Sequence, residues 1–431
     1  MDNFDLLLAK ELGGGGGGGS SSPYWKRPTE FPDLDKINLA NDEVVYLSYK
    51  TDTPNSYAVF GITATGDYTV DIGTIENGAY TVKTTETFTS SGTYMHDLTG
   101  YAEEDYLVLR VRGNISVFDI FSKYYTNGGA NKWGCAQSLV EIYGRLPHLT
   151  TLESFVRDTG YVESVKLVDM GSVTSMMRVG AGSKALVNVD ISGVTNTVSL
   201  YLAFQGARAL EYLYLHGVKS DNLQQVMDGT LVEYTDCEGW SVTYNGSMLG
   251  SFSGIEVTSL DLSKWNITAT NCNNLFSGAK HLEKLNISTW TLSGSGVSMF
   301  QYTDLKEIPS SNYTGITDVT NMFYQSTLSG NVTMPKTTAT DLKSALQYCS
   351  YARSITIPNT YTSISTAGAF RNASNCEEIH FEATTPPTLT NSNAFTTSMN
   401  SNLKIYVPSA SLNTYKTATQ WVNIAGIIYG E

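Results

Sequence analysis

The chain has 431 residues, a formal net charge of −14 and only 16% charged residues. This acidic balance argues against nucleic acid as a partner, because nucleic-acid binding needs lysine and arginine against phosphate. It also argues against an anionic membrane surface. No apolar run approaches the ~20 residues of a membrane span, so we expect no membrane insertion.

The first twelve residues predict a docking peptide. The spacing of Phe4, Leu7, Leu8 and Leu12, at i, i+3, i+4 and i+8, predicts a helix with one apolar stripe. A helix this short is marginal in water, so it needs a partner surface on which to fold. The apolar run is too short for a secretory signal, and the segment is acidic at its start rather than basic. The alternative interpretation of residues 1–12 is a frayed terminus without a role.

Residues 13–22 predict a flexible tether. They contain an unbroken run from Gly13 to Gly19 followed by three serines. Glycine loses the most backbone freedom on ordering, so such a run stays a coil. The run is not a phosphate loop, because no strand precedes it and no Gly-Lys-Ser/Thr follows it. A tether of this kind is expected where another molecule holds the residues before it.

Residues 23–120 predict a small β-sandwich. Segments rich in β-branched and aromatic residues recur every roughly 8–12 residues between glycine, asparagine and aspartate; they include EVVYLSYK, YAVFGITATG, DYTVDIG, AYTVKT and DYLVLRVRG. The stretch YTVDIGTIENGAYT resembles PKD-like domains of the immunoglobulin type. In this chain Ile72 and Thr74 replace the tryptophan and the second aspartate of the turn that is usual in that family.

A period of 24 residues governs the rest of the chain. One large apolar position recurs at this mean interval, at Phe155, Met177, Phe204, Met227, Phe252, Phe276, Phe300, Phe323, Leu346, Phe370 and Phe395. In phase with it, strands of the form apolar-x-apolar end at Leu167, Ile191, Leu215, Leu262, Ile287, Met334, Ile357, Phe381 and Val407. Two further strands are predicted near Val242 and Ile308. A single repeat cannot bury its apolar face alone, so the repeats are expected to stack into a solenoid over residues 151–408.

The repeat also carries a family resemblance. The segment LDLSKWNITATNCNNLFSGAKHLEKLNISTW resembles the BspA-type leucine-rich repeat, through Leu260, Leu262, Ser263, Trp265, Asn274, Phe276, Leu282 and Leu285. The expected fold class is therefore mixed and β-rich. It combines a small immunoglobulin- or PKD-like β-sandwich with a BspA-type leucine-rich repeat solenoid of ~24-residue repeats.

Both ends of the solenoid are expected to be capped, because an exposed terminal repeat leaves apolar surface in water. Residues 121–150 predict a linker and an N-terminal cap, with a helix through Trp133, Leu139, Ile142 and Tyr143. Residues 409–431 predict a C-terminal cap, with an amphipathic helix that carries Leu412, Tyr415 and Trp421.

No motif in the sequence predicts catalysis. The chain lacks GxSxG, HExxH and Walker patterns, and its five histidines are scattered singly. The five cysteines form no CxxC pair, so they predict small buried core residues rather than a zinc site or a disulfide framework. Acidic pairs such as Asp33/Asp35 and Glu103/Glu104 are expected in any chain with 41 acidic residues. We therefore predict no enzyme, no cofactor and no metal.

Surface side chains are the remaining candidates for function. The middle residue of each apolar-x-apolar strand points outward, and tyrosines beside polar residues suit a stacking-based binding surface. The candidate ligand-binding residues are Tyr201, Tyr212, Tyr214, Asp261, Asn286, Tyr302, Tyr324, Tyr348, Tyr351 and Tyr406. For any one tyrosine the alternative is an ordinary, partly buried repeat residue.

The order of docking peptide, tether, β-domain and repeats resembles the tail or head fibres of bacteriophages. That resemblance implies a virion-surface protein that binds a host cell-surface protein or polysaccharide. It also implies that residues 1–12 attach to another virion structural protein. The alternatives are a bacterial cell-surface adhesin of the BspA type, which would be extracellular, and a distant third, a glycan-active enzyme. A homo-oligomer stays open.

Overall fold

A computed structural model describes residues 34, 37–40, 43–49, 57–76, 79–97, 106–120, 124–127, 130–133, 139–230, 232, 234–235, 242–366, 368–395 and 399–431. The predicted docking peptide with Phe4, Leu7, Leu8 and Leu12, and the tether at 13–22, lie outside the described residues. The described parts fall into two compact units. Unit 1 comprises Met1–Val198, Ala203–Val218 and Thr230–Asp236, and unit 2 comprises Ser199–Leu202, Lys219–Gly229 and Cys237–Glu431.

The described residues are mostly β-strands. In chain order the strands are β1 (Glu43–Tyr49), β2 (Tyr57–Ala64), β3 (Tyr68–Glu76), β4 (Ala79–Phe88), β5 (Gly92–Asp97), β6 (Tyr106–Arg112), β7 (Ile115–Asp119), β8 (Tyr124–Asn127), β9 (Ala130–Trp133), β10 (Leu139–Arg145), β11 (Ser164–Val168), β12 (Asn188–Ile191), β13 (Thr197–Ser199), β14 (Tyr212–Leu215), β15 (Lys219–Asn222), β16 (Tyr234–Thr235), β17 (Thr243–Ser247), β18 (Ser259–Asp261), β19 (Asn266–Asn271), β20 (Lys284–Asn286), β21 (Thr291–Ser295), β22 (Asn312–Asp318), β23 (Gly330–Thr333), β24 (Ala352–Ile357), β25 (Ser363–Ile364), β26 (Glu378–Phe381), β27 (Thr388–Leu389), β28 (Lys404–Val407) and β29 (Ile428–Gly430). One α-helix, α1 (Leu412–Thr417), and 3-10 helices at Ser392–Phe395, Ser409–Ser411 and Trp421–Ile427 accompany them.

Unit 1 begins with two antiparallel sheets. One contains β1, β6, β3 and β4 as successive neighbours, and the other has the order β5-β2-β7. Aromatic rings join the two, since Phe88 of β4 meets Tyr94 of β5 edge to face at 5.6 Å and Tyr94 stacks on Phe60 of β2 at 4.8 Å. On the first sheet Asp71 is buried and accepts hydrogen bonds from Arg112 and Thr85, each at 2.6 Å. The closer assignment to a PKD-like domain stays a prediction.

The first sheet continues directly into the repeats of unit 1. Strand β10 pairs antiparallel with β1 on one side and parallel with β11 on the other. The parallel order then runs β11-β12-β14-β16. The helix predicted through Leu139, Ile142 and Tyr143 is therefore wrong, because these residues belong to a strand. Their helix-like spacing was accidental: Val140, Ile142 and Tyr143 are β-branched or aromatic, types that favour a strand, and Leu139 to Ile142 are all buried in the sheet.

The coils of unit 2 carry two sets of parallel strands. One set is the sheet β23-β24-β26-β28-β29, which holds the predicted apolar-x-apolar strands of the last coils. The other is the sheet β17-β19-β21-β22, whose strands from Asn266 onward the repeat pattern did not mark. The strand predicted near Val242 is present as β17, which pairs with β19. The strand predicted at Ile308 is wrong: residues 307–309 form no strand, and β22 starts only at Asn312.

Stacked aromatic rings form the core of unit 2. The rings of Phe252 and Phe276 lie 5.2 Å apart, those of Phe276 and Phe300 5.8 Å, and those of Phe300 and Phe323 5.4 Å, each pair within 8° of parallel. Main-chain bonds keep the coils in register, since the N–H of Phe276 donates to the carbonyl of Met299 at 2.8 Å. Trp265 and Trp290 are buried beside these rings, with Trp265 against Phe252 and Trp290 against Phe276, so both are structural residues.

The large apolar position that recurs every 24 residues is assigned to the wrong residues in the first coils. We call the residue at this position the ladder residue of its coil. The N–H of Gly180 donates to the carbonyl of Ala203 at 2.8 Å, as that of Phe252 donates to Leu275 at 2.9 Å. Gly180 therefore occupies the ladder position of its coil, and the prediction of Met177 is wrong. By the same bonding Val156, whose N–H donates to Val179 at 2.8 Å, replaces Phe155. The reason is steric: a Cβ on Gly180 would come within 3.1 Å of Cδ1 of Phe204.

The chain closes with a mixed cap rather than one helix. Helix α1 spans only six residues, a 3-10 helix follows, and β29 adds a last parallel strand to β28. Tyr415 and Trp421 are buried, and they donate to the carbonyls of Ala383 and Pro387, each at 2.8 Å. Of the three predicted apolar residues of this cap, Tyr415 and Trp421 are thus confirmed as buried, Leu412 is only half-buried, and the single amphipathic helix is wrong. No helix among the described residues is long and apolar enough to cross a membrane.

Candidate functional site

From the first coil to that of Phe370, the chain turns through a left-handed residue two positions after the ladder residue, and in the first coil this residue is Asp158, with φ of 55°. Five successive coils have glycine there, with φ between 68° and 76°: Gly182, Gly206, Gly229, Gly254 and Gly278. The next four coils instead carry Tyr302, Gln325, Tyr348 and Asn372, with φ between 54° and 65°. Only glycine adopts this conformation freely, and a side chain there costs roughly 1–2 kcal/mol. A bulky tyrosine in this conformation is uncommon.

Four tyrosines lie together on these coils, and we call them the tyrosine row: Tyr302, Tyr324, Tyr348 and Tyr351. The ring of Tyr324 meets the ring of Tyr302 edge to face, with centroids 5.6 Å apart, and that of Tyr348 with centroids 5.3 Å apart. Tyr302 is 41% exposed and Tyr351 is 59% exposed. Edge-to-face contacts hold the rings in fixed orientations without removing them from solvent.

A cavity of about 410 Å³ lies beside the tyrosine row. Its volume is within the range of small-molecule sites, roughly 300–1,000 Å³. Four successive coils contribute to its wall, which is lined by Lys280, Tyr302, Asp304, Gln325, Ser326, Thr327, Tyr348, Ser350 and Tyr351. Four of these, Lys280, Asp304, Thr327 and Ser350, occupy the same position in their coils, four residues after the ladder residue.

The cavity wall carries one cation and one anion. Within the part of the chain that the structure describes, Lys280 and Asp304 form no ion pair or side-chain hydrogen bond, so both are available to a ligand. Thr327 in contrast is engaged, since its hydroxyl oxygen accepts from Lys306 Nζ at 3.2 Å. Burial raises the pKa of Tyr324, and the neighbouring hydroxyls of Tyr302 and Tyr348 raise it further. Tyr324 is therefore uncharged at neutral pH.

Comparison with known families agrees with this architecture. Residues 313–419 match the BspA type leucine rich repeat region in six copies. Over these residues the solenoid is BspA-like. Residues 150–290 and 221–334 match a second family, described as Mycoplasma protein of unknown function, DUF285. No curated protein matches the chain.

The other predicted residues of the BspA-like solenoid do not join the tyrosine row. Tyr214 of unit 1 lies on the outer face of the parallel sheet, in register with Asp190, and stacks on His216 with ring centroids 6.0 Å apart. Tyr212 of the same strand is 37% exposed. Tyr201 is half-buried in a turn, where its N–H donates to the Ser199 hydroxyl at 3.4 Å.

Asp261 and Asn286 pair in register on β18 and β20. Each side chain turns back on its own loop: Asp261 Oδ1 accepts from the N–H of Ser263 at 2.9 Å, and Asn286 Oδ1 accepts from that of Ser288 at 3.2 Å. Hydrogen bonds from the Ser263 hydroxyl and from the Ser263 N–H hold the pKa of Asp261 below its usual range. The two residues thus stabilise the turns of the BspA-like coils.

Tyr406 belongs to a separate aromatic stack at the last strands. Its ring stacks on His380 at 4.9 Å and lies 6.0 Å from the ring of Tyr429. Both ring nitrogens of His380 face carboxylates, Nδ1 at 2.8 Å from Glu431 and Nε2 at 3.3 Å from Glu378. These ring and carboxylate contacts are all made within the protein, and they hold β29 against β26 and β28.

Sequence analysis missed the polar wall of the cavity. Lys280, Asp304 and Gln325 are charged or polar residues that no motif marks. The signal that could have found them is the period itself, because residues 24 apart occupy the same place on successive coils. The residues four positions after each ladder residue, from Phe252 to Phe370, are Glu256, Lys280, Asp304, Thr327, Ser350 and Ser374.

Proposed function

We propose that the chain is a non-enzymatic recognition and adhesion protein whose BspA-like repeats bind a cell-surface receptor through the tyrosine row. One observation carries the proposal: Tyr302 and Tyr348 have side chains at a left-handed position that the five coils before Tyr302 fill with glycine. Strained backbone positions concentrate at functional sites, where a side chain is needed for more than packing. The match to the BspA-type repeat is consistent with a surface adhesin or recognition protein.

The chemistry of tyrosine supports the same proposal. A tyrosine offers a large contact area and a hydroxyl while losing little conformational freedom on binding. The edge-to-face contacts of Tyr324 with both neighbours restrain the rings before a partner arrives. Such preorganisation increases affinity because less freedom is lost on binding. The receptor in this proposal is a protein or a polysaccharide of a host cell.

We do not propose catalysis at this site. Hydrolysis of a glycosidic bond needs two carboxyl groups that flank the bond. The cavity wall has a single carboxylate, that of Asp304. Binding without turnover is the chemistry that this wall supports.

The proposal has a finer form that concerns where the protein resides. In that form the protein is an appendage of a bacteriophage virion, attached by residues 1–12 to another virion protein and displayed on the tether of residues 13–22. The amphipathic spacing of Phe4, Leu7, Leu8 and Leu12 supports this form. The alternative form is a bacterial cell-surface adhesin, which the BspA-type match supports.

An antibody against residues 140–431 tests the two forms. We would probe purified particles induced from the source culture beside washed, uninfected cells. Label on particles that disappears when residues 1–12 are deleted supports the virion form. Label confined to uninfected cells contradicts it and supports the adhesin.

Binding of fluorescent protein to washed host cells tests the role of the tyrosine row. The double variant Tyr302→Gly, Tyr348→Gly should lose at least tenfold in cell binding. It should remain folded, since glycine suits the left-handed backbone at both positions. The control is Tyr429→Ala, which removes a tyrosine of similar exposure, 44%, from outside the row. Unchanged cell binding by the double variant would overturn the proposal.

A further inference from the structure

The cavity beside the tyrosine row has the form of a short groove along the repeats. Its wall takes residues from four coils, those of Lys280, Asp304, Gln325 and Ser350. Hydrogen-bonded parallel strands of adjacent coils lie about 4.8 Å apart, so four coils extend over roughly 14 Å. A groove of this length fits a few linked rings of an extended chain.

The wall combines aromatic and hydroxyl-bonding groups. Tyr302, Tyr348 and Tyr351 offer ring surface, on which the C–H face of a sugar ring packs. Asp304 has two carboxylate oxygens that can accept from neighbouring sugar hydroxyls, and the Gln325 amide both donates and accepts. Specific recognition in small-ligand sites rests on a few such polar groups placed on an aromatic wall.

The charges of the wall select against an acidic chain. Lys280 and Asp304 cancel, so the cavity itself offers no net positive charge. The whole chain carries a net charge of −14. A net charge of this sign disfavours the approach of an acidic chain, and salt screens that effect over about 8 Å at physiological ionic strength.

From these observations we infer that the cavity binds a neutral polysaccharide chain, with sugar rings against Tyr302 and Tyr348 and sugar hydroxyls bonded to Asp304. This inference rests on the proposed function, because it names the receptor class of the same site. A protein receptor would need a contact of roughly 800 Å² on each partner, which the cavity alone does not supply.

Titration calorimetry on the full-length protein tests the inference. The probes are hexamers of glucose, mannose and galactose, each beside the hexamer of its uronic acid, which differs only in carrying a carboxylate at C6. We expect at least one neutral hexamer to bind, and to bind at least tenfold more tightly than its uronic counterpart at low salt. The difference should shrink in 0.5 M salt, where the Debye length is only about 3–8 Å.

Two variants test whether the neutral hexamer binds in the cavity. Tyr348→Gly and Asp304→Asn should each weaken binding of the neutral hexamer at least tenfold, while Tyr429→Ala leaves it unchanged. The Asp304→Asn change is isosteric at a surface position, so it separates loss of hydrogen bonding from loss of fold. Tighter binding of a uronic hexamer, with the affinity dependent on Lys280, would overturn the inference.

The two proposals fail in different ways. If no hexamer binds at millimolar concentration but the tyrosine-row variants still abolish cell binding, the saccharide inference is wrong and the recognition function stands. If the variants alter neither hexamer binding nor cell binding, both are wrong.

Discussion

The backbone N–H of Tyr302 donates to the carbonyl oxygen of Tyr324 at 2.9 Å, while their rings meet edge to face with centroids 5.6 Å apart. The same main-chain bond that joins the coils therefore also brings the two phenols together. Tyr348 approaches Tyr324 from the following coil at 5.3 Å. The central ring of the row thus has a hydroxyl neighbour on each side.

The titration of Tyr324 should report this arrangement. Burial, followed by the charges of Tyr302 and Tyr348, raises its pKa above the usual value. We expect the pKa of Tyr324 to fall in Tyr302→Phe and Tyr348→Phe, because each change removes one ionisable neighbour. NMR titration of protein labelled at the tyrosine ζ carbon measures this. Tyr429→Phe is the control, and an unshifted Tyr324 in both variants would contradict the arrangement.

Alkaline pH should destabilise unit 2 through its buried tyrosines. Burial raises the pKa of Tyr361 to about 12 and that of Tyr313 further, and their hydroxyls donate to the carbonyls of Pro335 and Pro309. The unfolded chain ionises at about pH 10. Stability is therefore fully present below about pH 10 and is lost as pH rises towards the folded pKa values. Urea unfolding at pH 8 and pH 11 measures the loss, which Tyr361→Phe should reduce.

Removing one ring from the ladder should be costly. Phe300 is fully buried and stacks on Phe276 and Phe323. We expect Phe300→Ala to lower the free energy of unfolding by about 3–5 kcal/mol, because the cavity cannot be filled by neighbours. Phe300→Leu, which keeps most of the volume, should cost less than about 1.5 kcal/mol. Equal losses for the two variants in urea unfolding would argue against ring packing as the cause.

Glycine at the left-handed turn should stabilise the protein because it adopts this backbone conformation without strain, not because a side chain would clash. Gly278 has φ of 76°, and a Cβ there would meet nothing closer than 3.8 Å. We expect Gly278→Ala to destabilise the protein by about 1 kcal/mol through backbone strain rather than through a clash. The matched control is Gly426→Ala, also free of contacts within 4 Å but without a left-handed φ. That variant should be neutral or stabilise by up to about 1 kcal/mol in the same unfolding assay.

The described cysteines should be inert in the folded protein. Cys272, Cys349 and Cys376 are buried thiols, and burial raises the pKa of each to about 12. Thiolate is the reactive form, so an aromatic disulfide reagent at pH 8 should label none of the three until urea is added. The measurement needs the background Cys135→Ser, Cys237→Ser, since those two residues lie outside the described ones. Rapid labelling of that background would contradict the burial.

The period was enough to predict the coils, but not where on them the candidate site lies. Phe276, Phe300 and Phe323 could be found because a large apolar residue every 24 positions has one physical cause, the shared core. Gly180 could not, because the space of its missing side chain is filled by Phe204 of the next coil. The cap at β10 was missed since a strand that completes a sheet has no pattern of its own to distinguish it from a helix.

The tyrosine row was among the predicted residues, yet six other candidates were predicted with equal weight. What separates Tyr302 and Tyr348 from Tyr212 or Tyr406 is a backbone angle, which the residue types do not reveal. The polar wall required a comparison of equivalent positions from coil to coil. That Lys280 and Asp304 occupy equivalent positions becomes visible only when the sequences of the four coils are aligned.

The position of β10 between β1 and β11 should lower the tendency of unit 1 to aggregate. A parallel sheet that ended at β11 would present a row of unsatisfied N–H and C=O groups, which is a template for pairing with another molecule. Because β10 covers that edge, and β1 in turn covers β10, the repeats of unit 1 have no free strand there for neighbouring molecules to extend. A fragment that begins after residue 145 would lose this protection, and we expect it to self-associate into sheet-rich aggregates that the full chain avoids.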